Sequence, residues 1–216
     1  MTVASMSARD RFQAAYENRY TWDDQFPGYT AEVELRQGDE VYRAQMTIGA
    51  DLGVSISGVD DPDVLQTLER QLKDITTHRQ RADFAKVHGE NQFQFGDTDA
   101  SGAIAILVEG KAMGSSYKVR DREICHVERN VGPMRFVIDT HATLDTGNGY
   151  VPTRTDAIFF NAQSDQPMKE VHYEDTYEKI GDYHLLAHQV IRARDCGDAT
   201  GPETVTEITF TNLQLR

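Results

Sequence analysis

Three groups of residues in this chain have types and spacing that could do chemistry. His184 and His188 stand four apart, which brings two imidazoles onto one metal ion only if the segment is a helix. On a strand, four steps of about 3.3 Å separate them by about 13 Å, and the expectation is then solvent-facing or network histidines. Asp97, Asp99, Ser101 and Gly102 follow the opening of a calcium loop, where alternate oxygen ligands precede a glycine that permits a sharp turn. The twelfth position of that loop is Val108 instead of a bidentate glutamate, with Glu109 one place late, so the segment reads as a hairpin turn. Arg135, Asp139 and His141 share one strand parity, and a carboxylate near a histidine could serve acid-base catalysis. No recognisable motif ties a serine or cysteine nucleophile to them, and Gly-x-Ser-x-Gly and phosphate-binding glycine patterns are absent. A cross-strand polar network is therefore the expectation for this trio. Cys125 and His126 are adjacent, so a strand would point them to opposite faces. These readings assign no catalytic residue, metal ligand or cofactor.

The elements that would carry these groups are mostly strands. Residues 155–215 read as an antiparallel meander: an apolar run at Ile158, Phe159 and Phe160, an alternating segment at 169–177, and a threonine-rich last strand at 205–215. Gly181-Asp182 is a two-residue hairpin signal. The segment 183–192 also fits helical spacing at Tyr183, Leu186, Ala187, Val190 and Ile191, but a helix there would leave its neighbours unpaired, so the reading is strand. A polar loop is expected over 195–203. Near the start, Ser7 with Asp10 resembles a capping box, followed by a helical face of Ala8, Phe12, Ala15 and Tyr16. Alternation then predicts strands from Tyr29, around Tyr42 to Ile48, and at Leu52 to Ile56. Asp61-Pro62 opens a helix whose Leu65, Leu68, Leu72 and Ile75 recur at helical spacing, running on or restarting through Phe84 and Val87 to Gly89. Short strands are expected near 93–95, 104–109, 117–120, 124–131 and 135–144, with turns at Gly96, Gly114, Asp121, Gly132 and 147–149. About eleven strands and two or three helices result, an α+β class. Because a twisted antiparallel sheet tends to coil, the expected form is a strongly curled open half-barrel with the helices covering one side.

Length and composition bound the function. With 216 residues, 39% of them hydrophobic, and no linker-like break, the expectation is a single domain over 1–216. The net charge of -13 is spread along the chain and would repel phosphate backbones, which excludes nucleic acid as a partner. No apolar run is long enough to span a bilayer, and residues 1–12 lack the apolar core of a secretory signal. Two cysteines form neither a disulfide framework nor a zinc-ligand pair, and a reducing cytoplasm fits them best.

The segment 16–29, Tyr-Glu-Asn-Arg-Tyr-Thr-Trp-Asp-Asp-Gln-Phe-Pro-Gly-Tyr, resembles a family of mostly cyanobacterial and some plant proteins known as domain of unknown function 3386. Residues 74–78, 96–99, 132–134, 145–147 and 174–182 resemble its recurring segments too, so the likeness spans nearly the whole chain. It implies no reaction, cofactor or catalytic residue. The order of elements is also similar to the lipoprotein-carrier fold, a curled antiparallel half-barrel with helices over its mouth.

Two readings of function stand side by side. One is a non-catalytic cytoplasmic protein that binds a lipophilic small molecule in the concave face of its sheet. The lining would come from Phe136, Ile138, Phe159, Tyr173 and Leu185, with Trp22 at the rim of an aromatic cluster that includes Tyr20, Phe26 and Tyr29. The alternative is an assembly or protein-interaction factor without a ligand, and an enzyme of unidentified type is a third. An apolar concavity would favour the first, an exposed apolar patch the second, and a polar pocket of perturbed ionisable groups the third.

Overall fold

The computed structural model describes residues 6–111, 115–197 and 201–216. The turn expected at Gly114, the first five residues of the opening segment and positions 198–200 of the loop expected over 195–203 lie outside them.

Helix α1 (Ala8–Glu17) starts where Ser7 Oγ accepts the Asp10 amide at 3.1 Å and donates to the Asp10 carboxylate at 2.7 Å. The serine half of the expected capping box is made, while the aspartate in the third position takes the Ser7 hydroxyl in place of the Ser7 main-chain N–H. Helix α2 (Pro62–Arg79) starts at Asp61, whose carboxylate accepts the amides of Asp63 and Val64. Its proline sits where a missing N–H leaves no bond unmade. The helical pattern does not run on: extended backbone at Gln80 ends α2, and a second cap at Asp83 opens the short α3 (Phe84–His88).

The strands are β1 (Gly28–Gln37), β2 (Glu40–Gly49), β3 (Val54–Ser57), β4 (Gln92–Thr98), β5 (Ile104–Glu109), β6 (Ser115–Arg120), β7 (Glu123–Val131), β8 (Met134–Asp145), β9 (Tyr150–Asn161), β10 (Pro167–Ile180), β11 (Tyr183–Asp195) and β12 (Thr204–Leu215). There are twelve, against about eleven expected, in one unclosed antiparallel sheet of order β3-β2-β1-β12-β11-β10-β9-β8-β7-β6-β5-β4. All neighbours are consecutive in sequence except β1 and β12. The segment with two readings is strand β11. Gly181, at φ 59°, makes the tight turn into it at no steric cost. Strand β9 begins at Tyr150, eight residues before the apolar run that announced it. Leu52 lies outside β3 with a left-handed φ of 64°. Among the described residues no helix is long and apolar enough to cross a membrane.

The chain divides into two compact units. The first comprises the described residues of Met1–Tyr20, Ala82–His172 and Arg194–Gly201. Its core joins Ala8, Phe12, Ala15 and Tyr16 of α1 to Phe84 of α3 and to Ile106, Val108, Tyr117 and Val119 of the sheet, with Phe93, Ile104, Ile124 and Val127 packed against it. The Phe12 ring sits 4.6 Å from that of Tyr117 and 6.2 Å from that of Phe84.

The second unit comprises Thr21–Arg81, Tyr173–Ala193 and Pro202–Arg216. Alternation on β1 buries Tyr29, Ala31, Val33 and Leu35. Their register partners are Ile48, Met46 and Ala44 on β2, and Phe210 and Ile208 on β12. Helix α2 lies against β3 and buries Val64, Leu68, Leu72, Thr76 and Arg79; of the expected stripe Leu68 and Leu72 are buried, while Leu65 and Ile75 are half-buried at its flanks.

Candidate functional site

Polar side chains concentrate in both units. In the first unit, register brings Lys118 of β6 opposite His126 of β7, His126 opposite Asp139 of β8, and Asp139 opposite Asp156 of β9. Alternation sets this row on the face opposite Val127, Ile138 and Ala157. His126 Nδ1 lies 2.6 Å from the Asp139 carboxylate. His141 Nε2 and His172 Nδ1 each lie 2.7 Å from Asp156, on different oxygens. An ionised carboxylate only accepts, so each ring donates the proton on that nitrogen. Two aspartates directly opposite one another repel, and the three imidazoles offset that repulsion. Partial burial would raise the Asp156 carboxyl, but the hydrogen bonds from His172 and His141 outweigh it and hold it below the ordinary range. At the end of the row, Lys118 Nζ binds Asp99 at 2.9 Å.

Asp99 organises the calcium-like segment. One of its oxygens accepts from the Ser101 amide, the Ser101 hydroxyl and the Ala103 amide, and the other takes the Lys118 ammonium. The Ser101 and Lys118 bonds depress its carboxyl far below the usual range. A lysine cation thus occupies the carboxylate, and the segment is a turn between β4 and β5.

Of the trio expected to share a network, Asp139 and His141 bind different partners, and Arg135 belongs to another cluster. The Arg135 guanidinium pairs with Glu128 at 2.9 Å and with Asp165 at 2.5 Å, and lies 3.9 Å over the Phe160 ring. A bulge separates the trio: register shifts between Thr140 and Ala142, leaving His141 without an opposite residue. Cys125 donates its thiol to the Lys118 carbonyl at 3.4 Å, and burial raises its pKa. Among the described residues no group of three or more His, Cys, Asp or Glu is arranged to hold a metal ion. His188, on strand β11, binds Glu207 at 2.7 Å.

The second unit holds an aromatic and polar cluster. Trp22 and Phe26 stack with ring centroids 4.0 Å apart, the Tyr29 ring stands edge-on to Trp22 at 5.9 Å, and Tyr183 stands edge-on to Phe26 at 5.1 Å. Two bonds pin the segment that carries Trp22 and Phe26: the Trp22 amide donates to the Arg79 carbonyl at 2.9 Å, and the Tyr183 hydroxyl donates to Asp23 at 2.9 Å. Beside them runs a partly buried network. The Arg79 guanidinium donates to the Tyr177 hydroxyl at 2.9 Å, Tyr177 donates to Asp175 at 3.3 Å, and Gln189 donates to the other Asp175 oxygen at 2.9 Å. Burial pushes the Asp175 carboxyl up, against the lowering effect of these partners. Burial likewise raises the Tyr29 hydroxyl, with Arg79 pulling the other way. Tyr29 Oη and Trp22 Nε1 are enclosed and have no hydrogen-bond partner among the described residues.

The six residues proposed from sequence as a lining fall into both units. Phe136, Ile138 and Phe159 lie half-buried on one face of β8 and β9 in the first, with the two phenyl rings 6.5 Å apart. Trp22, Tyr173 and Leu185 lie in the second, where Trp22 and Leu185 are buried and Tyr173 is half-buried. Sequence reasoning weighed His126 only beside Cys125 and missed Asp156 and His172, whose convergence with it depends on register, and Arg79, Asp175 and Gln189, whose meeting depends on tertiary packing. Grooves of about 410 and 560 Å³ over β1, β2, β3 and β12 are lined by polar residues such as Glu32, Gln45, Ser57 and Thr209 together with apolar ones such as Val33, Ala44, Met46 and Ile56.

Residues 3–216 match the model of a family described as Protein of unknown function (DUF3386). No curated protein matches the chain. Among solved structures, the chain is similar to a DUF1329 family protein from Desulfovibrio piger ATCC 29098, known from a crystal structure at 1.75 Å resolution. That likeness covers 98% of this chain and 94% of the other at 9% identity, with a TM-score of 0.28.

Proposed function

The chain belongs to this DUF3386 family, whose function is unknown, and from that premise we propose that it is a non-catalytic protein that binds a lipophilic small molecule against the aromatic cluster of the second unit. One observation carries the reading: Tyr29 Oη and Trp22 Nε1 are enclosed among aromatic rings with their hydrogen-bonding capacity unused. Leaving such a group unsatisfied costs a fold about 1–3 kcal/mol, a cost that a bound molecule with a polar end would remove. The Trp22–Phe26 stack and the edges of Tyr29 and Tyr183 supply apolar surface for the rest of the molecule. Trp22 and Tyr173 would touch the ligand, and Leu185 would back the core behind it. Phe136, Ile138 and Phe159 stand outside this site because they belong to the other unit.

Native mass spectrometry of protein purified from its own host, before and after organic extraction, tests the reading. The expected result is an excess mass that extraction removes. A bare-chain mass throughout, with no lipophile taken up on addition, would sink it. The second reading, an interaction protein, draws on exposed Val131 and Met134, which face each other across the end of the β7–β8 hairpin. It would lead in that event.

A further inference from the structure

The geometry points to the turn at Asn148 and Gly149 as a site of spontaneous covalent modification, in which the Gly149 main-chain nitrogen closes on the Asn148 side chain and the asparagine becomes an aspartyl or isoaspartyl residue. The Gly149 nitrogen loses its proton to hydroxide and forms a bond to Asn148 Cγ. The Cγ–Nδ2 bond breaks and ammonia leaves, which gives a five-membered cyclic imide. Water then opens the ring at either carbonyl. One opening yields aspartate, and the other yields isoaspartate, in which the main chain runs through the side chain and gains a methylene. One water is taken up, one ammonia is released and one negative charge is added, with no oxidant or reductant.

Asn148 is the only asparagine followed by glycine; the others precede Arg19, Gln92, Val131, Ala162 and Leu213, whose side chains crowd the attacking nitrogen. The turn also leaves both reacting groups unengaged. The Thr146 amide and hydroxyl donate to the Gly149 carbonyl at 2.9 and 2.8 Å, and the Asn148 amide donates to the Thr146 hydroxyl at 3.2 Å. The return bond, from the Gly149 N–H to the Thr146 carbonyl, is not made, and the Asn148 side chain bonds no group among the described residues. A main-chain N–H committed to a ladder bond would be held back from the attack, and this one is not. Asn148 is exposed, so water reaches the imide. The product has little room. A Cβ at Gly149 would lie 2.5 Å from the Asn18 carbonyl oxygen and 2.9 Å from the Tyr20 nitrogen, so the backbone there is wedged against the end of α1. Tyr150 ties the same segment, its amide donating to the Asn18 carbonyl and its carbonyl accepting the Tyr20 amide, each at 2.9 Å. A methylene inserted just before this seam has no slack to enter, so isoaspartate loosens the join of α1 to β9. All of these residues belong to the first unit, and the modification acts as a clock on its stability.

The test keeps the full-length folded protein in mildly alkaline buffer at body temperature. Peptide mass spectrometry follows the conversion of each asparagine to acid, and an isoaspartyl methyltransferase with a labelled methyl donor counts the isoaspartate. Conversion at Asn148 should run about tenfold or more ahead of that at any other asparagine, a barrier difference of about 1.4 kcal/mol. Asn148→Gln, whose longer side chain closes a ring more slowly, should lose both the conversion and the methyl acceptance. Isoaspartyl protein separated by ion exchange should have a thermal midpoint below that of the unmodified protein and below that of Asn148→Asp, which carries the same charge without the added methylene. Conversion at Asn148 in urea but not in the folded protein would show that the turn protects it, and would overturn the site. Methyl acceptance that survives Asn148→Gln would overturn it too. Equal thermal midpoints for the isoaspartyl and unmodified forms would overturn the stability clock.

Discussion

Asp156 shows how much a single surface residue can hold together. Its side chain is 35% exposed and those of its partners His141 and His172 about 41–42%, so each pair lies in water-screened surroundings and is worth of order 0.2–1 kcal/mol. Because the folded carboxyl is depressed, its contribution is complete above the ordinary carboxylate range and is lost as pH falls through the folded value. Asp156→Asn should therefore lower the urea midpoint at neutral pH by the equivalent of about 1 kcal/mol, and by less at pH values below about 3. His88 has the opposite setting: it is buried among Phe12, Tyr16, Phe84 and Phe93 and bonds Asn91 at 3.0 Å. Burial, with Arg19, Arg129 and Arg9 in support, lowers its pKa to about 4 from the ordinary 6.5. Between those values the unfolded chain takes up a proton that the folded one refuses, so stability should fall as pH drops through the window. Denaturation curves at several pH values would show that slope in the wild type and its reduction in His88→Gln. At this scale the sequence revealed residue types but few partnerships. Asp139 and His141 were recognisable as polar-network members, whereas His126, Asp156 and His172 join them only through a register that no local pattern encodes.

Elements were far more legible. Alternation marked β1, β2 and the meander, and capping chemistry marked both long helices, because these signals depend on neighbours in sequence. Strand β9 was read too short because Pro152, which follows the turn at 147–149 closely, lacks the N–H of a ladder residue and reads as more of that turn. Pro152 is accommodated opposite Thr143, beside a register shift in β8, where a missing N–H is tolerated. Segment 183–192 had two readings by periodicity, and the need to pair its neighbours decided it. The turn before β11 gives a direct check. At Gly181 the backbone is left-handed, and an added Cβ would lie 2.9 Å from the Leu215 side chain. Gly181→Val should cost about 1 kcal/mol or more, seen as a lower denaturant midpoint. An unchanged midpoint would show that the turn relaxes.

At the scale of the molecule, two strands run through both compact units. Strand β10 passes from the first to the second at residue 173, and β11 returns after residue 193. Because these two strands are continuous through both units, a single cooperative transition is expected. Trp22, the sole tryptophan, reports the second unit by fluorescence, and far-ultraviolet circular dichroism reports the whole sheet. Coincident denaturation curves would support one folding unit, and curves separated by a plateau would show two. The sheet's two open edges bear on solubility in the same test. Strand β3 has only four residues, and β4 carries a register shift between Phe95 and Thr98, so each is a poor template for another chain.

The pairing of β1 with β12 has a consequence for synthesis. Every other neighbouring pair of strands can form as soon as the second of the two has left the ribosome. Strand β1 must wait for a partner made more than 160 residues later, with Leu35 unable to meet Ile208 until nearly the whole sequence shown here has emerged. Meanwhile the first unit, dominated by the continuous stretch Ala82–His172, can already be assembled. The nascent protein thus carries a finished sheet segment beside a β1–β2–β3 ribbon with one long unpaired side, whose buried-face residues Val33 and Leu35 still lack the apolar neighbours that β12 brings. That interval is when the chain is most exposed to wrong pairing, and when a chaperone would matter most.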